Sequence, residues 1–365
     1  VGIVNAATPW ESRTLTFEGK GTLNAYMGDD AIPPRGPSVR FEKPLRSGAL
    51  GAERPLLVYL PPGYDPAGPA YPVIFAVHGF SSRPQTWGLL LLDALEAAIA
   101  DGVIPPLVVA MPDVSLSGNG RDDRRTWYDD RSGSFGINSN RGRFEDHFFD
   151  EVAPFVFSSF NVRRDPRGVV LMGSSMGGFC VLYYGITRPG FSHILVPIYP
   201  CADLRYGVRG RKLENYDPAG YALIDNDNPC RVVNASQLGG AVGLTEKWLY
   251  YPVFDSDRSP GPAWSEDLPV WKRLSDVNPV EILDRGSVDL SGQGYYLVVG
   301  SQDDFNLDAH VPLIVPRLEA HGAVVEPAEH VLPAGRHSQP FITENLPAIF
   351  AWMGRQLAGG PADQR

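Results

Sequence analysis

The sequence predicts a doubly wound α/β domain with a mostly parallel β-sheet, and three observations carry that prediction. Short, fully apolar runs at 72–77, 107–111, 169–172 and 194–198 read as strands covered on both faces, the pattern of central parallel strands. Segments with helical spacing of apolar residues, at 89–100, 144–157 and 176–187, alternate with them. The length, 365 residues, suits one large domain with insertions.

Taken in order, residues 1–50 mix β-type runs (13–17 and 38–42) with Gly/Pro turns and read as a β-rich extension packed on the main domain. The main domain spans 51–358. It opens with a strand at 56–60 that Pro61, Pro62 and Gly63 stop. Strand 72–77 follows, then helix 89–100, strand 107–111 and helix 144–157, which carries Glu145, Asp146, Asp150 and Glu151 early. Strand 169–172, helix 176–187 and strand 194–198 complete the first half. Residues 202–278 break the rhythm and read as an insertion or cap with short elements of its own, since a structureless loop of that length is improbable in a compact domain. Order returns with strand 295–299, helix 307–321, strand 324–331 and helix 342–357, and 359–365 form a flexible tail.

Composition narrows the function classes. The net charge is −10 and no Lys/Arg-rich run occurs, which argues against a nucleic-acid partner or an anionic membrane surface. No apolar stretch approaches the roughly 18 residues of a membrane span. The 39 Gly and 34 Pro are dispersed without a period, as in a loop-rich globular protein. Three cysteines rule out a disulfide-built scaffold, leaving one candidate bridge, Cys201–Cys230, beside the alternative of buried thiols. The chain starts at Val1 rather than Met. With the candidate bridge, this gives the expectation of a secreted or periplasmic protein, a cytoplasmic one remaining open.

The chemistry centres on Gly173-Ser174-Ser175-Met176-Gly177, which fits G-x-S-x-G between an apolar strand and a helix-compatible segment. A sharp strand-to-helix turn leaves no room for side chains two residues to either side of the nucleophile, hence Gly173 and Gly177. It lifts Ser175 Oγ above the sheet edge at a helix N-terminus, where the dipole favours developing negative charge. Ser174 is off the glycine frame and takes a packing role. A serine hydroxyl needs a base. His337, in a loop after a strand near the C-terminus, is the choice among seven histidines. His147, His193, His310, His321 and His330 fall on or beside predicted elements and take structural roles. The acid that orients the base is Asp303 or its rival Asp304, after strand 295–299; one of the two can also cap the following helix. The backbone N–H groups of Met176 and Phe80 form the oxyanion hole. Phe80 is presented by His78-Gly79, with His78 a buried ring that hydrogen-bonds the loop. Trp127 and Tyr128, on a long loop, are candidate substrate-lining residues. Aromatics of the insertion, Trp248, Tyr250 and Trp264 among them, could line a pocket or form the insertion's own core. The basic cluster Arg205, Arg209, Arg211 and Lys212 reads as a solvated loop face.

These motifs together resemble the esterase D-like branch of the α/β-hydrolases, which includes S-formylglutathione hydrolases, tributyrin-type, feruloyl and acetylxylan esterases, and mycolyltransferases. The resemblance rests on blocks in matching order: Val58–Asp65 with Tyr71-Pro72-Val73 and His78-Gly79, Thr126-Trp127-Tyr128, Arg143–His147 with Glu151–Phe155, the elbow, Gly300–Asp303 and Gly335–His337. It implies the α/β-hydrolase fold and favours Asp303, the fourth residue counted from Gly300. It also matches Trp87 to a tryptophan nine residues past the family's His and so adds Trp87 to the substrate-binding candidates. The chain departs in having Ser81-Ser82 where glycines are common, in the long 202–278 segment and in its first 50 residues. The reading that follows is a serine esterase acting on a small-molecule or glycan-linked ester, with no metal and no organic cofactor, since no HExxH, Cys/His ligand spacing or dinucleotide fingerprint occurs. Acyl transfer by the same triad is the alternative chemistry, and a non-catalytic binding module on this fold the alternative class.

Overall fold

The structure is a computed structural model. It describes residues 38–80, 82–116, 134–139, 142–204, 276–303, 305 and 307–359, with four short strands at Arg13–Thr16, Thr22–Ala25, Pro229–Cys230 and Leu244–Thr245. In chain order the strands are β1 (Arg13–Thr16), β2 (Thr22–Ala25), β3 (Val39–Ser47), β4 (Ala52–Leu60), β5 (Val73–Val77), β6 (Val108–Pro112), β7 (Asn138–Ser139), β8 (Gly142–Arg143), β9 (Val169–Ser174), β10 (Ile194–Ile198), β11 (Pro229–Cys230), β12 (Leu244–Thr245), β13 (Gly294–Tyr296), β14 (Val299–Gly300), β15 (Val324–Glu326) and β16 (Val331–Leu332). The helices used below are α1 (Pro84–Ala100), α2 (the continuous helical stretch of Phe144–Asp146, His147–Val152 and Ala153–Ser159), α3 (Met176–Thr187), α4 (Pro279–Arg285), α5 (Val311–Ala320) and α6 (Gln339–Leu357).

Eight strands form the main sheet in the order β15-β13-β10-β9-β5-β6-β4-β3. From β6 to β15 every pairing is parallel, whereas β4 pairs antiparallel with β6 and with β3. The apolar runs explain this arrangement. β5, β6, β9 and β10 are buried at every residue, as strands with helices on both faces must be. β3 pairs with β4 at the edge, so the sheet begins at Val39, inside the stretch read as an N-terminal extension. α1 takes Pro84 at its start, where the missing N–H costs nothing, and buries Trp87, Leu91, Leu92, Leu95 and Ala98 on one face. α3 is buried almost all round and lies at the centre of the molecule.

Four elements differ from the sequence expectation, and two of the differences trace to proline. The helix expected over 144–157 is regular only at its ends. Phe144–Asp146 and Ala153–Ser159 are α-helical, and between them His147–Val152 winds as a π-helix. Pro154 has no N–H and its ring crowds the carbonyl one turn back. Widening the preceding turn relieves that clash, and Ala153 N–H accordingly bonds Phe148 O, five residues earlier. The single strand expected over 324–331 stops at Glu326, because Pro327 cannot donate to the ladder, and resumes as β16. The strand expected over 295–299 divides correspondingly: β13 pairs with β15 in the main sheet, and β14 pairs with β16 in a separate two-stranded sheet. The helix expected from 307 begins as a 3-10 turn, Leu307–His310, before α5. Most of 202–278, where the insertion was expected, and residues 360–365 of the tail lie outside the described residues.

Candidate active site

The site assembles at the carboxyl ends of the parallel strands, where the loops of a doubly wound sheet converge. Ser175 joins β9 to α3 with φ 57° and ψ −117°, a backbone that a non-glycine residue adopts only under constraint. The constraint is visible on both sides. Ser175 N–H donates to Ile198 O at 3.0 Å, and Ser175 O accepts Phe179 N–H at 2.9 Å. A Cβ at Gly173 would lie 2.2 Å from Gly177 O, and one at Gly177 would lie 2.0 Å from Val77 O. Chain crosses chain here at a separation only glycine permits.

The loop after β5 lies against this turn: a Cβ on Gly79 would be 3.4 Å from Ser175 Cβ and 3.2 Å from Ser174 O. His78 is 1% exposed and holds the loop from beneath. Its Nε2 accepts Val114 N–H at 2.9 Å, so in the neutral ring Nδ1 carries the proton and donates to Gly79 O at 2.9 Å. In a trans peptide C=O and N–H point in opposite directions. Fixing Gly79 C=O therefore turns Phe80 N–H away from His78. Asp113 Oδ1 lies 3.2 Å from His78 Nε2 and accepts Ser115 N–H, and buried Arg54 approaches Asp113 at 3.8 Å. Burial pushes the Asp113 carboxyl up, but its contact with His78 and the hydrogen bonds from Ser115 outweigh it and hold its pKa below the ordinary value. Burial holds Arg54 below its usual pKa, with Asp113 opposing the shift. Sequence reading found His78 but neither Asp113 nor Arg54. They sit 35 and 24 residues away, Asp113 just past the end of β6 and Arg54 near the start of β4, and a lone Asp or Arg beside an apolar run carries no signal of its own.

His337 and Asp303 meet in the loops that follow β16 and β14. The two loops are bound together by Ser301 N–H to Leu332 O and Gln302 N–H to Gly335 O. His337 Nδ1 is 2.8 Å from Asp303 Oδ2. The other carboxylate oxygen accepts the N–H groups of Phe305, at 2.9 Å, and Leu307, at 3.2 Å. Asp303, fully buried, thus caps the 3-10 turn and holds the imidazole at once. With Nδ1–H directed at a carboxylate, Nε2 is left with its lone pair. Tyr199 and Phe305 flank the imidazole at centroid distances of 4.2 and 4.6 Å. Neither was singled out from sequence, though Tyr199 directly follows an apolar strand at the sheet end where sites form.

The link between the serine and the histidine runs through β10. Ile198 O holds Ser175 N–H, and the next residue, Tyr199, carries His337 against its ring. The remaining candidates are placed as follows. Met176 is the first residue of α3 and Phe80 follows Gly79, so both backbone N–H donors belong to segments that adjoin Ser175. Trp87 corrects the expectation: it is 1% exposed within the core face of α1 and offers no surface to a substrate. Its spacing from His78 reflects packing of α1 beneath the sheet. Trp127, Tyr128 and Asp304 lie outside the described residues. Of the other histidines, His310 Nδ1 accepts Ala202 and Asp203 N–H, His147 pairs with Glu151, His321 binds two carbonyls and His330 binds Leu297 O. Among the described residues no group of three or more His, Cys, Asp or Glu side chains is placed to hold a metal ion.

The sequence model of the Esterase family matches residues 47–312. The chain belongs to the Esterase family. Its motifs resemble the esterase D-like branch of the α/β-hydrolases. Among curated proteins the chain is 27% identical to Esterase Rv1288 of Mycobacterium tuberculosis (strain ATCC 25618 / H37Rv) over 155 residues, which are 40% of this chain and 30% of that one. The matched region thus spans under a third of that relative's length. Among solved structures it is similar to a ferulic acid esterase (TM-score 0.61, 14% identity, 88% of this chain and 99% of that one covered). It is also similar to an S-formylglutathione hydrolase from Agrobacterium tumefaciens (TM-score 0.58, 16% identity, 89% and 97% covered), and to the serine hydrolase FphF of Staphylococcus aureus (TM-score 0.55, 16% identity, 87% and 99% covered). At these identities the likeness is one of fold.

Proposed function

We propose that this esterase hydrolyses carboxylic esters of small or aryl acyl groups through a triad of Ser175, His337 and Asp303. The observation that carries the proposal is the 2.8 Å Asp303–His337 pair held, through Tyr199 and Ile198, beside a serine in a strained strand-to-helix turn. Ser175 Oγ attacks the ester carbonyl while His337 Nε2 takes its proton. Asp303 keeps the proton on Nδ1 and stabilises the imidazolium. Phe80 and Met176 N–H groups receive the oxyanion, with Phe80 oriented by the His78–Gly79 hydrogen bond. The imidazolium then protonates the leaving alcohol, and water, activated by the same base, releases the acid.

The test is a panel of p-nitrophenyl acetate, butyrate and octanoate with methyl ferulate, run on the wild type and Ser175→Ala. Turnover of one ester with a loss of at least roughly 10³-fold in Ser175→Ala supports the proposal. The preferred ester then defines the acyl pocket as small, long or aromatic. A fully active Ser175→Ala refutes it.

A further inference from the structure

Tyr199 is the residue around the triad whose conformation packing alone does not explain. Its φ is 33°, in the half of backbone space that side-chain-bearing residues rarely occupy, and a bulky aromatic there is an outlier. Such strain persists where surrounding contacts over-determine it, and it clusters at functional sites. The contacts are present. Tyr199 N–H donates to Val298 O at 2.7 Å, and Ile198 before it holds Ser175. The side chain is 4% exposed, and its ring lies against both His337, at 4.2 Å and 43° between planes, and Phe341 at 5.8 Å. The hydroxyl donates to Ser338 O at 3.4 Å.

Asp303 fixes one nitrogen of His337, which leaves the imidazole free to tilt about that hydrogen bond. A ring face packed on the imidazole removes this freedom. The face of a phenol is also electron-rich and favours the imidazolium over the neutral ring. Both effects grow where His337 carries a proton taken from Ser175, and neither acts on substrate binding. We propose that Tyr199 is a positioning residue for His337: its ring sets the imidazole plane and stabilises the imidazolium. This assignment rests on His337 being the base of the proposed ester hydrolysis.

The test compares Tyr199→Phe, Tyr199→Leu and Tyr199→Met in the full chain, with kcat and KM on p-nitrophenyl butyrate and urea unfolding for each. Leu removes the aromatic ring; Met does so at a similar length and decides the matter if the Leu variant does not fold. The expected result is a kcat about 10- to 100-fold lower for Leu and Met with KM within about twofold. Phe, which keeps the ring, stays within about threefold of wild type. Unchanged kcat in Met, a loss confined to KM, or a Phe variant as impaired as Met overturns the inference. Ser175→Ala, measured alongside, separates the two levels. If it retains activity, the triad itself is wrong; if it is inactive while the Met variant is unaffected, only the role of Tyr199 fails.

Discussion

Replacing Asp303 by Asn tests the site at its most constrained group. Both carboxylate oxygens are used: Oδ1 accepts two backbone N–H groups, and Oδ2 faces His337 Nδ1. An Asn amide has one acceptor oxygen and one donor nitrogen. The oxygen must stay with the two N–H groups, because turning the NH2 onto them would bury two donors against two donors. The amide nitrogen then faces His337 Nδ1, which becomes the acceptor, and the proton moves to Nε2. The ring is held in place but in the tautomer that cannot take a proton from Ser175. The expected loss in kcat is about 10³- to 10⁴-fold, or about 4–5.5 kcal/mol of transition-state stabilisation. Stability to urea should change little, since the turn stays capped. Asp303→Ala should be as inactive and in addition less stable by about 1–3 kcal/mol, because two buried N–H groups lose their acceptor. The assay is kcat/KM on the preferred p-nitrophenyl ester beside urea unfolding of both variants. An Asn variant with more than a tenth of wild-type activity would refute the assignment of Asp303 as the residue that sets the tautomer.

Three further outcomes follow from the same coordinates. Burial holds His310 at a pKa of about 4, against the pull of Asp203 and Asp303, while its Nδ1 accepts Ala202 and Asp203 N–H. The unfolded chain binds this proton below about pH 6.5 and the native protein only near 4. Stability should therefore fall by about 3 kcal/mol as pH drops across that window, and His310→Asn, which keeps an acceptor, should flatten the dependence in urea titrations. Gly177→Ala would place a methyl 2.0 Å from Val77 O, a backbone atom that cannot move aside, so soluble yield and activity should both collapse. An active variant with a wild-type midpoint would contradict this crossing. Cys180 is buried within α3 and burial pushes its thiol pKa well up, so iodoacetamide should leave it unmodified in native buffer and label it in urea, as read by peptide mass spectrometry.

The features legible in the sequence were those written in local patterns. Unbroken apolar runs gave the central strands, because a strand covered on both faces cannot carry polar residues. The glycines of the elbow gave the turn and with it Ser175, because the crossing of chain over chain excludes any Cβ. The loops after the last strands, with the family resemblance, pointed to His337 and to Asp303 over Asp304 as candidates. What the sequence left open depended on contacts between distant segments. The π turn in α2 and the break between β15 and β16 needed the consequences of Pro154 and Pro327 worked out against neighbouring carbonyls and strands. Trp87 shares a spacing with the family motif, yet its helix turns it into the core. Asp113 reaches His78 and Arg54 reaches Asp113, while Tyr199 and Phe305 reach His337, from separate strands and loops. Local spacing thus determined which groups could react, because bond geometry and sterics act over a few residues. Only the tertiary structure decided what holds them in place, because burial and hydrogen bonding join residues without regard to their separation along the chain.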